Sequence, residues 1–339
     1  MNQPPKRAAY DALDKSIRIT SDRITAAKPS AFFAKGRKML AKLEAPHGSL
    51  ADSVARRAAG RLMIDELSAH HKRTKKKGYR HFLVTICWDA GVLGAEPSFD
   101  YDLDAMQIKA YKALNGLGLS GICVFEAVAL RKSKLNPERL IIHLHGVLWT
   151  SDQSFQPIVA AKKLMARGSF PNSFGAPSVS IQSRKMAAAR FRDKQSARYT
   201  HLFAKLHKDQ TKASISWLGY YLFQAPAWVK QLVPRKDRCD GLAMRSNSKN
   251  YSPQLVLALN RLLSEIQFTD SVFSVGDGKS ILGPWRTKFR KEFAVRDAPK
   301  LKGKRKKGMK RKSNSKAEVR RRRARLLKRL GLPNGSLRF

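Results

Sequence analysis

Arg139-Leu140-Ile141-Ile142-His143-Leu144-His145-Gly146-Val147-Leu148-Trp149 is an apolar run carrying two histidines separated by one leucine. In an extended strand, alternate residues share a face. His143 and His145 then project side by side, about 7 Å apart along the strand. Ile142, Leu144 and Leu148 point the other way, into a core. Two imidazoles on one face make half of a metal site.

The preceding segment supplies the other half. Gly121 to Leu130 reads as a second strand, with Glu126 among Cys123, Val124, Phe125, Ala127 and Val128. A carboxylate in such surroundings is costly unless it is paired or bound to a metal. Pro137 marks a turn between the two strands, so they are expected to pair as a hairpin and bring Glu126 near His143 and His145. Two histidines and one carboxylate suit Mg²⁺ or Mn²⁺ held for phosphate chemistry. The structural alternative is a glutamate bridged to a lysine, beside two histidines that only pack.

Further out, His81-Phe82-Leu83-Val84-Thr85-Ile86-Cys87-Trp88 is dense in β-formers and predicts a strand. Asp100 to Leu117, Phe155 to Ala166, Ser214 to Gln224 and Gln254 to Ile266 carry helical apolar spacing. Pro226 stops the third of these. Ser178 to Gln182 reads as a short strand. The fold class is therefore α+β: a small antiparallel sheet with helices packed on one face, the other face left for a substrate.

The chain has 339 residues, 68 Lys and Arg against 25 Asp and Glu, and a formal net charge of +43. A polyanion is the expected partner, DNA or RNA before a membrane surface. No apolar run approaches the roughly 20 residues of a membrane span, and Met1 to Tyr10 lacks the apolar stretch of a signal peptide. Cys87, Cys123 and Cys239 form neither a zinc pattern nor a disulfide framework. A reducing, cytoplasmic setting follows as the expectation.

Four segments are expected: a basic helical N-terminal segment over 1–78, a catalytic domain over 79–235, an accessory helical segment over 236–299, and a basic, mostly disordered tail over 300–339. In the first, Val54, Ala58, Leu62 and Leu67 give Ala51 to His71 a helical pattern, and Lys72 to Gly78 reads as a charged linker. His70 and His71 read as part of that linker, and His201 and His207 receive no role. The tail is too rich in Lys and Arg to bury a core, although Arg320 to Leu330 could turn helical on DNA. Gly276-Asp277-Gly278-Lys279-Ser280 ends like a phosphate-binding loop. Phe273 stands where that motif requires glycine, and no clear strand and helix flank it.

A nucleophile comes next. Trp217-Leu218-Gly219-Tyr220-Tyr221-Leu222-Phe223-Gln224 places two adjacent tyrosines on a short helix. Adjacent helical residues point about 100° apart, so one tyrosine can face a metal while the other packs. Phenolate attack on phosphorus would form a phosphotyrosine and conserve the bond energy for rejoining. The bland reading is that Tyr-Tyr beside Trp and Phe is core.

Taken together, these motifs resemble the HUH (His-hydrophobic-His) endonucleases, specifically the rolling-circle replication initiators of plasmids and phages. The resemblance covers about 79–235. It rests on a strand like Phe82-Leu83-Val84-Thr85-Ile86, then His143-Leu144-His145-Gly146, then the tyrosine helix. Family members commonly place a lysine three residues after the catalytic tyrosine. Tyr221 has that spacing to Gln224, which stands in the lysine's place; the choice between Tyr221 and Tyr220 stays open. Glu126 matches the family's third metal ligand. The resemblance implies a metal-dependent nickase and strand transferase acting on single-stranded or hairpin DNA, with a host helicase and polymerase as partners. A single-strand transposase or a relaxase would use the same chemistry. A non-catalytic DNA- or RNA-binding protein is the alternative from another class.

Overall fold

A computed structural model of the chain describes residues 5–30, 48–94, 99–131, 138–173, 177–183, 210–226, 229–234, 242–247 and 253–293. At its centre β3 (Ser120–Leu130) and β4 (Arg139–Thr150) pair antiparallel, from Ser120 opposite Trp149 to Leu130 opposite Arg139. Beyond its first residue each strand is buried throughout. That is why both read as continuous apolar runs rather than as alternation.

β1 (Arg80–Ile86) lies along the outer side of β4, with β5 (Val179–Ser183) beyond it, both antiparallel. On the other side, β6 (Val229–Pro234) runs parallel to β3 where Leu130 meets Lys230, and forms an antiparallel pair with β7 (Leu242–Asn247). Two short strands complete the pairing: β2 (Val92–Gly94) on β4 and β8 (Val272–Val275) on β3. The order is β5-β1-β4-β3-β6-β7. The fold is thus α+β, built on an open and mostly antiparallel sheet.

Among the described residues the helices are α1 (Pro5–Ser30), α2 (Ser53–Thr74), α3 (Leu103–Asn115), α4 (Pro157–Ala166), α5 (Gln210–Phe223), α6 (Pro253–Glu265), the single turn α7 (Phe268–Ser271) and α8 (Lys279–Phe293). α3 starts where Asp102 accepts a hydrogen bond from the Ala105 amide at 2.8 Å, as an N-cap should.

Helices lie on both faces of the sheet, which corrects the expectation of one helical and one open face. Register fixes the faces: Thr85 pairs with His145 and Glu126 with His143, so all four share one. α2 reaches that face through Arg56, which bonds Glu126, and α5 through Tyr221, whose ring meets His145. On the opposite face Phe125 packs against Trp88 and Phe273, Trp88 meets Phe170, and Lys109 of α3 lies over Phe170. The apolar stripe of α5, with Ile215, Leu218 and Leu222 buried, needs a partner surface. α2 supplies much of that surface: Gly219 sits against Ile64 and Leu67, and Ser216 Oγ lies 3.1 Å from Ser68 Oγ.

The core also crosses the expected boundaries near 78 and 235. Leu13, Ile17, Met63 and Leu67 share one apolar cluster with Phe82, Leu144, Leu255 and Trp285. Trp285 of α8 donates from its indole nitrogen to the Ala59 carbonyl of α2 at 2.9 Å. The buried stripe of α2 includes Ala55, Ala59, Met63 and Leu67, and Val54 is exposed instead of packed. The expected linker is mostly helix: α2 runs to Thr74, Lys75–Lys77 form a 3-10 turn, and Gly78 takes φ 67° to swing the chain into β1.

A strand and a helix do flank the phosphate-loop-like stretch, contrary to expectation: it joins β8 to α8. A Cβ on Gly278 would lie 1.9 Å from the Gly121 carbonyl oxygen, and the Asp277 amide donates to Ser120 Oγ at 3.2 Å. Close packing on β3 accounts for the glycine. Residues 300–339 lie outside the described residues.

Candidate metal centre

β4 sends His143 and His145 to one face, with Nε2 atoms 2.8 Å apart and rings nearly perpendicular at 89°. Glu126 sits directly opposite His143 on β3. A ligand atom from each of the three lies within 4.8 Å of the other two. All three residues are buried. This Glu126–His143–His145 group can hold a metal ion.

The surrounding contacts orient the rings. His143 Nδ1 lies 3.4 Å from the Ile141 carbonyl oxygen. That oxygen only accepts, so the contact favours a proton on Nδ1 and a lone pair on Nε2. His145 Nδ1 lies 3.1 Å from Thr85 Oγ1, a group that can donate or accept. With His145 Nδ1–H donating to Thr85, both Nε2 lone pairs converge, as a shared metal requires. With the other tautomer, His145 Nε2–H donates to His143 Nε2. One proton shift therefore separates a ligating form from a hydrogen-bonded one.

Gly91 guards the same strand from its edge. β1 pairs with β4 as far as Leu144, and β2 resumes at Ile141. Gly91 closes the interval, and a Cβ there would lie 2.0 Å from the Ile142 carbonyl oxygen. No larger residue fits beside the histidine strand at this point.

Arg56 is the site residue that sequence reasoning missed. Its Nη1 donates to Glu126 Oε1 at 2.8 Å, and both side chains are buried. The expected structural alternative named a lysine; the cation is an arginine, 70 positions away. A signal was present. Arg56 falls three residues before Ala59 and seven before Met63, on the buried side of α2. A cation on an apolar stripe asks for a buried anion.

The tyrosines separate as adjacent helical residues must. Tyr221 is half-buried, with its ring edge-on to His145 at 4.8 Å between centroids. Tyr220 is buried and packs against Trp217 at 4.7 Å. Burial pushes the Tyr220 phenol well above its ordinary range, and the nearby Tyr221 and Glu126 push it the same way. Gln224 follows the end of α5 and is half-buried. Cys87 and Cys123 are poorly placed to form thiolates. Both are buried, and burial pushes the Cys87 thiol up to about 12 and the Cys123 thiol higher still. Cys239, His201 and His207 lie outside the described residues.

His70 and His71 are not linker residues. His70 is buried at the end of α2, 4.4 Å from the Trp149 ring and stacked with Tyr79 at 6.3 Å. His71 meets His81 edge-on at 5.0 Å. Among the described residues, no helix is long and apolar enough to cross a membrane.

Comparison with known proteins finds no match: no family model, no curated protein and no solved structure is similar to this chain. The class that fold and site define is an α+β protein with a buried carboxylate–histidine group able to hold a metal.

Proposed function

We propose that the protein is a metal-dependent, tyrosine-nucleophile nickase of single-stranded DNA that initiates rolling-circle replication. The observation that carries the reading is the convergence of Glu126, His143 and His145 with Tyr221 placed against His145. The net charge of +43 supports a nucleic-acid substrate. A bound Mn²⁺ or Mg²⁺ would polarise the scissile phosphate and offset its developing charge.

The chain's own residues do the rest. Glu126 and the two Nε2 atoms would hold the ion; Thr85 and the Ile141 carbonyl hold the rings. Tyr221 Oη forms a bond to phosphorus as the P–O3′ bond breaks. The phenolic proton passes to solvent water, and the departing 3′ oxygen takes one proton from solvent, so the step is neutral in protons. The products are a 5′-phosphotyrosine and a free 3′-hydroxyl that can prime synthesis. Tyr220 packs and stays protonated.

A second reading has one observation in its favour. Arg56 already compensates Glu126 without a metal, as a purely structural pair in a nucleic-acid-binding module would. Extension by a polymerase separates the two. Incubation of a single-stranded oligonucleotide with the protein and Mn²⁺ should create a 3′ end that a polymerase extends, and EDTA should prevent it. An oligonucleotide that is bound but left intact supports the binding module.

A further inference from the structure

We propose that Arg56 is a positioning residue of this centre, presenting the Glu126 carboxylate to the two histidines. The inference rests on the metal reading above. The Arg56 side chain is 3 % exposed, and its guanidinium is gripped from several directions. Nε and Nη2 donate to the Leu50 carbonyl at 3.1 and 2.7 Å, and Nη1 donates to Glu126 Oε1 at 2.8 Å. Nη1 also lies 3.4 Å from the carbonyl of Phe223, the last residue of the tyrosine helix. A carbonyl at a helix C-terminus lacks an intrahelical donor.

The anchor is itself fixed. The Leu50 amide donates to the Ile266 carbonyl at 2.8 Å. Two residues on, Asp52 Oδ1 accepts from the Val54 and Ala55 amides at the start of α2. The planar fork of arginine therefore stands at a set angle, and its remaining terminal nitrogen sets the rotation of the carboxylate. The neighbouring arginines of α2 cannot substitute. Arg57 and Arg61 turn to the surface and pair with Asp14. Residues that hold metal ligands in place are commonly worth 10- to 100-fold in metal affinity.

The test is a double-mutant cycle on Mn²⁺ affinity, read from the spin resonance signal of free Mn²⁺ in titrations of the full chain. Arg56→Met should weaken Mn²⁺ binding by about 10- to 100-fold. Glu126→Gln should weaken it too, and the double variant should bind no more weakly than Glu126→Gln alone, because Arg56 acts through Glu126. Arg56→Lys keeps the charge but cannot span Leu50 and Glu126 together, so it should fall between wild type and Arg56→Met. Should Arg56→Met fail to fold, as removal of one partner of a buried pair can cause, Arg56→Lys with and without Glu126→Gln supplies the same cycle. Unchanged or tighter affinity on replacing Arg56, or losses that multiply in the double variant, overturns the proposal. Wild-type protein that takes up no Mn²⁺ strikes the metal centre itself, before any variant is compared.

Discussion

His143 Nε2 lies 2.8 Å from His145 Nε2, a spacing at which two bare lone pairs need a proton or a cation between them. Both side chains leave one face of β4 about 7 Å apart along the strand, and their rings converge in a strand that is buried beyond its first residue. Replacing either histidine by alanine should abolish Mn²⁺ binding and nicking together. DNA affinity should stay near wild type, since it comes from many distributed Lys and Arg contacts. Calorimetric titration with Mn²⁺ and a filter-binding assay with an oligonucleotide check the two halves. Nicking by His143→Ala at the wild-type rate would remove the histidines from the chemistry.

Thr85→Val keeps the shape of the side chain and removes the oxygen 3.1 Å from His145 Nδ1. The ring then loses the group that can accept from Nδ1–H in its ligating tautomer. Mn²⁺ affinity should drop about 10-fold, with little change in melting temperature. Equal Mn²⁺ affinity in the variant would mean that Thr85 does not orient His145.

Tyr221→Phe removes one oxygen from a half-buried ring beside His145, so folding and DNA binding should persist. The covalent protein–DNA adduct should disappear. Tyr220→Phe should retain the adduct, because the Tyr220 phenol is buried and held protonated. Peptide mapping of the adduct decides between them; DNA on Tyr220 reverses the roles.

The central hairpin and its burial were legible because Gly121 to Leu130 and Arg139 to Trp149 are long and continuously apolar. Their pairing put Glu126 opposite His143. Less was legible where the signal is short or distant. β2 and β8 have three and four residues, too few for a periodic pattern. Arg56 looks in sequence much like Arg57 and Arg61, which are surface residues; its spacing to Ala59 and Met63 sets it apart, but that stripe competes with one through Val54 until burial decides between them. The covering of the histidine face by α2 and α5 was missed because an amphipathic stripe shows that a helix packs, not on which side of a sheet.

Stability should fall in acid through His70. Burial lowers its pKa from the ordinary 6.5, and Arg73 and His71 add to the effect. As pH falls below that ordinary value the unfolded chain takes up the proton first, so stability declines until the folded-state value is passed and then levels. Melting temperature should drop between pH 7.5 and 5, and His70→Gln should reduce the drop. An identical pH dependence in the variant would exclude His70 as a source.

The most direct test is a denaturing gel of the protein incubated with 3′-end-labelled single-stranded DNA and Mn²⁺, because the fragment held as a 5′-phosphotyrosine keeps the 3′ end. The expected result is a labelled band at the mass of protein plus DNA fragment, absent in EDTA and absent in Tyr221→Phe. Tight DNA binding with intact oligonucleotide and no labelled protein, at any Mn²⁺ concentration, would contradict the account.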